Sequence, residues 1–302
     1  MGFVAIGPVH QAGPQAPGRG PGDEELEGDA MTADDAYRLR YGSGTASAPP
    51  AAWNDVLAQQ LSHRSVRAYR SDPVPDATLA ALIAAAQSAP TSGNLQLWSV
   101  VAVRDEERRT RLAKLAGEQD FIAQAPLFLV WLADLARARQ ITTELGSATA
   151  EAADFVEAAV LAFVDVALAA QNAALAAESL GLGTVFVGAI RNRPLDVADE
   201  LGLPPNVFPV FGLTVGRPDG FEDTAVKPRL PQEAVLHHEQ YALAPQAAYV
   251  ETYEEVLNAF YADAGLPAGW IERVATRFGT VAGLKGREHL REALRTRGFE
   301  LR

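Results

Sequence analysis

The apolar positions of this chain change their period several times, and each change marks an element. Trp53, Val56, Leu57 and Leu61 fall on one helical face. Pro73 and Pro75 then break the pattern, and Asp76 stands where a cap would start a helix over 77–88. Residues 99–103 read as a strand, 105–115 as a charged surface helix, and 126–132 as a continuous apolar strand of the kind buried on both faces. Residues 155–180 form one long helix, apolar nearly all round, with Gly181 as its C-cap. A membrane span needs ~20 apolar residues with few charges. This run holds Glu157, Asp165, Gln171, Asn172 and Glu178, so it reads as the central helix of a large core or of a dimer interface. A strand over 184–187, a helix over 195–201 and a strand over 210–215 follow. Amphipathic helices near 249–263, 268–280 and 286–297 complete the chain. This order, without strict βαβ alternation, predicts an α+β class.

The N-terminal part lacks such periodicity. Residues 1–30 are rich in Gly and Pro and have neither the basic start nor the apolar core of a signal peptide. Residues 31–50 read as loop and end in Pro49-Pro50. The expectation is a disordered extension over 1–48, with Met31 as a natural start, then a main domain over 49–245 and a helical C-terminal extension of it over 246–302.

Composition narrows the chemistry. The 302 residues are 48% hydrophobic and 21% charged, an ordinary globular balance. A formal net charge of -12 argues against non-specific nucleic-acid binding, which needs a basic face. With no cysteine there are no disulfides, thiolate metal sites or cysteine nucleophiles. The five histidines show no zinc-binding spacing.

Against that acidic background, His63, Arg64, Arg67 and Arg70 crowd together, with Ser62, Ser65 and Tyr69 among them. The group is either a solvated helix end or a phosphate site, where arginine forks and hydroxyls supply charge and fixed donors. Lys227 and Arg229, stiffened by Pro228 and Pro231, form a distant second basic point: a surface loop, or the other side of the same site. The loop over 89–96 gathers Thr91, Ser92, Asn94 and Gln96, as a tight turn or as ligand donors. Gln119 either caps a helix or serves the same ligand. Gly181 to Ile190 is not a dinucleotide fingerprint, because here a helix precedes the glycines and a strand follows them. Gly188 and Ala189 after that strand leave bare backbone for a flat ligand. No hydrolytic triad or carboxylate pair stands out, which points to chemistry carried by a cofactor.

Five motifs occur in order: HRSVR (63–67), APTSGNLQLW (89–98), GEQDFIAQAP (117–126), AAQNAALAAESLGLGTVFVGAIRN (169–192), and PVFGLTVGRPD with VKPRLP (209–231). Together they resemble the FMN-dependent nitroreductase superfamily, in its branch of major oxygen-insensitive nitroreductases and NADPH-flavin oxidoreductases. The resemblance covers roughly residues 55–245. It implies a nitroreductase-like α+β fold, with a small mixed, mostly antiparallel sheet flanked by helices, in an intertwined homodimer. It implies FMN as cofactor and NADPH or NADH as donor, with ping-pong hydride transfer through flavin N5 to nitroaromatics, quinones or flavins. Carried over by position, His63, Arg64, Ser65 and Arg67 would hold the FMN phosphate and ribityl end, joined by Lys227 and Arg229. Thr91, Ser92 and Asn94 would approach the isoalloxazine or its tail from the partner subunit. Gln119 would meet the ring's polar edge, and Phe186, Val187, Gly188 and Ala189 would place backbone against it. No side chain need be catalytic. The implied setting is the cytoplasm, with small-molecule oxidants as partners and neither nucleic acid nor membrane. Three departures stand out: Asn94 where the branch has a larger residue, Ala189 as the second of a glycine pair, and DAGLPAGWIERVATRF (263–278) where the branch has a basic NADPH loop. Arg273 and Arg277 are the candidate replacements for its charges. Two other readings remain: a flavin reductase supplying a partner monooxygenase, and a flavin-binding protein without turnover.

Overall fold

Strand β2 (Leu127–Asp134) explains the architecture, because every residue in it is buried. Leu127, Leu129, Trp131 and Ala133 join one core, while Phe128, Val130 and Leu132 join a second core on the opposite face. Alternating side chains of one strand thus serve both layers, which is why its sequence is continuously apolar. β2 pairs antiparallel with β1 (Trp98–Val103) and β4 (Val207–Gly216), and β4 pairs antiparallel with β3 (Gly183–Val187). The sheet order is β1-β2-β4-β3. A parallel bridge from Ser65 to Thr184 adds the mixed character at the β3 edge.

The computed structural model describes residues 31–42, 49–146, 150–221, 224–263, 265 and 269–302. The expectations for residues 1–30 and for a start at Met31 lie outside the described residues. The helices are α1 (Ala33–Tyr41), α2 (Asp55–Leu61), α3 (Asp76–Gln87), α4 (Glu106–Leu115), α5 (Asp120–Gln124), α6 (Ala136–Glu144), α7 (Val156–Ser179), α8 (Pro194–Glu200), α9 (Gln232–Val235), α10 (Gln246–Asp263), α11 (Trp270–Phe278) and α12 (Leu290–Thr296).

The first core lies between the sheet and α3 and α7. The inner face of α7 is almost all alanine: Ala159, Ala162, Ala169, Ala170, Ala173, Ala174 and Ala177 are buried. Small side chains let the helix axis approach the sheet closely. The opposite face carries Val156, Val160, Val164 and Leu168, each 39–50% exposed. By length and composition α7 could cross a membrane, but here one side of it is packed into the core. Past its end, Gly181 has φ 73° and its amide donates to the carbonyl of Glu178, the left-handed termination expected of that glycine.

Two expectations are corrected. Residues 33–41, read as disordered loop, form α1, with Thr32 Oγ1 accepting from the Asp35 amide. Their buried face consists of Ala36 and Arg40, so no apolar stripe announced it. Asp76 is not a cap but the first residue of α3, and Pro75 precedes it without a side-chain cap. Asp76 instead pairs with Arg104.

Candidate functional site

The segment over 63–70 reaches its place because glycine leaves room for it. A Cβ on Gly183 would lie 2.7 Å from Val66 Cβ, so any larger residue at position 183 would push this segment off the sheet. Val66 is buried, and its amide donates to the Thr184 carbonyl at 2.9 Å. Further along, Tyr69 Oη meets Thr214 Oγ1 at 2.6 Å, and the Arg70 amide donates to the Arg217 carbonyl at 2.9 Å. These bonds hold the backbone while the intervening side chains turn outward.

Those side chains meet the second basic point. His63, Arg64, Ser65, Arg67, Lys227 and Arg229 line one cleft of about 720 Å³, closed by α1 and α10. Arg64 Nε donates to Thr224 Oγ1 at 2.8 Å, which ties the two segments across the cleft. His63 Nδ1 lies 2.6 Å from Glu178 Oε1, and Thr184 Oγ1 donates to the same oxygen at 3.0 Å. A carboxylate only accepts, so Nδ1 carries the proton and the ring's orientation is set from behind. Arg70 departs from the group and pairs with Asp72 at 2.8 Å. The cleft therefore presents five cations, Arg38 among them, an imidazole and the hydroxyls of Ser65 and Thr224, with Asp263 as the carboxylate on its wall. That donor set suits a phosphate dianion on a larger ligand.

The loop over 89–97 behaves differently. Asp165 of α7 is buried, and it accepts from Thr91 Oγ1 at 2.6 Å, from the Leu97 amide at 3.0 Å and from the Ser92 amide at 3.3 Å. Thr91 Oγ1 also accepts from the Gln96 amide at 2.9 Å. Asn94 and Gln96 hold positive φ values of 58° and 52°, the left-handed turn that Asn tolerates. Ser92 and Asn94 are exposed. None of these residues lines the basic cleft within this chain.

A third region lies past β3. Phe186 projects from the sheet and packs edge-on against Phe211, centroids 5.3 Å apart. Val187 is buried, and Gly188 and Ala189 start a short 3-10 turn. A Cβ on Gly188 would lie 3.3 Å from Arg191 Nη2, so a guanidinium flanks the bare backbone. Gln119 stands at the start of α5, where its side chain donates to the Gly117 carbonyl at 3.2 Å and caps nothing. The Asn192 side chain bonds the Ala116 carbonyl at 3.4 Å, so the Gln119 loop and this turn are neighbours. Arg67 lies 6.0 Å from the Phe121 ring centroid, which links this region to the basic cleft.

Two residues here escaped the sequence reading. Arg191 and Arg287 gather with Arg277 into a cluster of guanidiniums. Burial lowers the pKa of Arg191, and the charge of Arg277 lowers it further. Burial likewise lowers Arg287, with Arg191 and Arg277 adding to it. Their hydrogen bonds go to neutral acceptors: Arg191 to the Val210 carbonyl, Arg277 to the Gly283 carbonyl, Arg287 to Asn192 Oδ1. Among the described residues no carboxylate pairs with any of the three. Such a cluster is relieved by an anion. Arg273, the other candidate replacement charge, is engaged elsewhere: it stacks 4.2 Å from the Tyr261 centroid and donates to that hydroxyl at 2.6 Å. A signal was present in the sequence, since Arg191 lies two residues past the small residues Gly188 and Ala189.

Comparison with known proteins adds a frame to this geometry. The sequence model of the nitroreductase family matches residues 61–217, and that of the nitroreductase family C-terminal domain matches residues 227–302. The FMN reductase (NAD(P)H) of Bacillus subtilis is 36% identical over 252 residues, covering 82% of this chain and 99% of that protein. The NADPH-flavin oxidoreductase of Vibrio harveyi is 35% identical over 252 residues, covering 82% of this chain and all of that protein. Among solved structures, a hypothetical oxidoreductase from Bacillus subtilis superposes with a TM-score of 0.78 at 36% identity, over 82% of this chain and 99% of that one.

Proposed function

The chain belongs to the nitroreductase family, and from that premise we propose an FMN-dependent NAD(P)H oxidoreductase that reduces small oxidised molecules by two electrons. The observation that carries this reading is the convergence of two distant basic segments on one cleft. Bound FMN supplies the centre that accepts and gives hydride. The chain's own residues then have three tasks. Arg64, Arg67, Lys227 and Arg229 hold the phosphate by charge, with His63 and Ser65 as further hydrogen-bonding groups. Phe186, Val187, Gly188 and Ala189 present backbone and a flat wall to the ring, with Gln119 near its polar edge. Arg191, Arg277 and Arg287 offer a cationic approach for the phosphates of the nicotinamide donor.

A second copy of the chain completes this site. Support comes from the half-exposed stripe Val156, Val160, Val164 and Leu168 on α7. Burial of that stripe against its counterpart would favour association, since full burial of each such side chain is worth ~1.5–3 kcal/mol. Ser92 and Asn94 of the partner, on their exposed loop, would then reach the flavin. The acceptors are flat small molecules, among them nitroaromatics, quinones and free flavin, and the enzyme works in the cytoplasm.

The test is an absorbance spectrum of the purified protein, followed by anaerobic titration with NADPH and with NADH. Oxidised-flavin bands that bleach with either nucleotide support the oxidoreductase. Flavin bands that neither nucleotide bleaches would leave a flavin-binding protein without turnover. A colourless protein that refuses added FMN would overturn the reading. The flavin-reductase alternative predicts release of reduced FMN at the rate of turnover, which rapid gel filtration of the reduced protein would detect.

A further inference from the structure

Helix α1 lies upstream of both segments that the family models match, which begin at residues 61 and 227. It nevertheless contributes Arg38 and Leu39 to the lining of the basic cleft, and Gly42 at its C-terminal cap adds to them. Its one buried charged residue, Arg40, is only 6% exposed. The Arg40 guanidinium donates through Nη1 to the Lys227 carbonyl at 2.9 Å, and through Nη2 to the carbonyls of Leu61 and of His63, the latter at 3.0 Å. In return the Arg229 amide donates to the Arg40 carbonyl at 2.8 Å. One residue thus bonds the backbone of both halves of the clamp, 61–63 and 227–229, from the side away from solvent.

No other residue type does this equally well. A planar fork reaches three acceptors at fixed angles, whereas an ammonium on a flexible stem cannot span both halves at once. Among the described residues Arg40 forms no ion pair, and the Glu178 carboxylate acts on its charge only from a distance. The guanidinium pKa is lowered by burial and then by Arg229, the expected consequence of gathering cations before an anion arrives.

We propose that Arg40 is a positioning residue for the phosphate end of the cofactor: α1 is a brace that sets the gap between the two basic segments, and through it the preference for a phosphorylated flavin. This rests on the FMN reading above. The brace touches only the anion end, so riboflavin, which has the ring without the phosphate, should not sense its loss.

The experiment measures dissociation constants of FMN and riboflavin for the full chain and for Arg40→Ala and Arg40→Lys, by quenching of flavin fluorescence. The expected result is FMN binding roughly tenfold or more weaker in Arg40→Ala, the scale of a lost charge-assisted network, with riboflavin binding within about twofold. Arg40→Lys should fall between, because it keeps the charge and loses the bridge. Guanidinium ion should restore FMN affinity to Arg40→Ala, and methylammonium should not. If Arg40→Ala does not fold, Arg40→Lys carries the same comparison. Equal weakening of both flavins would mean a merely structural helix and would overturn the proposal. So would an unchanged FMN-to-riboflavin ratio in both variants. Wild-type protein that binds neither flavin would instead refute the cofactor reading itself, and this brace with it.

Discussion

The basic cleft and the 89–97 loop look alike as sequences, since both are short runs dense in hydrogen-bonding side chains. In the fold they are opposites. The loop turns its Thr91 hydroxyl and two amides inward onto Asp165, where a buried carboxylate meets three donors. The clamp turns its backbone inward, onto Thr184 and Arg40, and sends its charged side chains toward an open cleft. Polar density therefore does not identify a ligand site. What distinguishes the two here is direction: the loop's donors converge on one buried carboxylate, whereas the clamp's cations line an open cleft.

The sharpest break of that comparison comes from Asp165→Ala. It leaves three donors without their charged acceptor, at about 1–3 kcal/mol for each group left buried and unsatisfied. Thermal unfolding should show a loss of several °C, at about 2–4 °C per kcal/mol. The preference for FMN over riboflavin should persist. Arg64→Ala should do the reverse: FMN affinity falls by about 1.5–3 kcal/mol, read by titration, while the apoprotein melts at the wild-type temperature. If the two variants exchanged phenotypes, the contrast between loop and clamp would be wrong.

Arg277→Ala tests whether the third cationic region resembles the clamp. It should raise KM for NADPH by roughly tenfold, the effect of one charge-assisted contact, and leave FMN affinity alone. A matching loss of FMN would merge the two regions into one. Thr91→Val removes a single hydroxyl from Asp165 and should cost about 1 kcal/mol of stability, with FMN retained. A large FMN loss there would show that the hydroxyl serves a flavin.

The smallest expected effect lies far from both regions. Hydrogen bonding to Arg139 holds the Asp154 carboxyl below its usual range, and Arg302 contributes. The folded pKa is depressed, so its stabilisation is present above the ordinary Asp value near ~4 and is lost as pH falls through the folded value. Melting curves of Asp154→Asn should therefore converge with wild type at acid pH and separate at neutral pH.

Much of this was legible in the chain because the relevant signals are local. The apolar run of β2, the alanine-rich length of α7 and the HRSVR cluster each lie within one continuous stretch. What escaped detection depends on contacts between distant segments. Helix α1 buries an alanine and an arginine, and a buried arginine gives no apolar period to detect. The cluster of Arg191, Arg277 and Arg287 joins a turn, a helix and a second turn that have no common pattern. The direction of the Thr91 hydroxyl was hidden for the same reason, since its partner lies on α7.

The close approach of Val66 to Gly183 has one more consequence. β3 ends the sheet, and an edge strand offers a row of unpaired amides and carbonyls to any passing strand. The parallel bridge between Ser65 and Thr184 covers part of that row. The stretch that gathers charge for an anion is thus also a guard against stacking of one molecule on the next. Loosening it, as Gly183→Val would by steric clash with Val66, should appear first as aggregates in light scattering, before any catalytic assay registers the change.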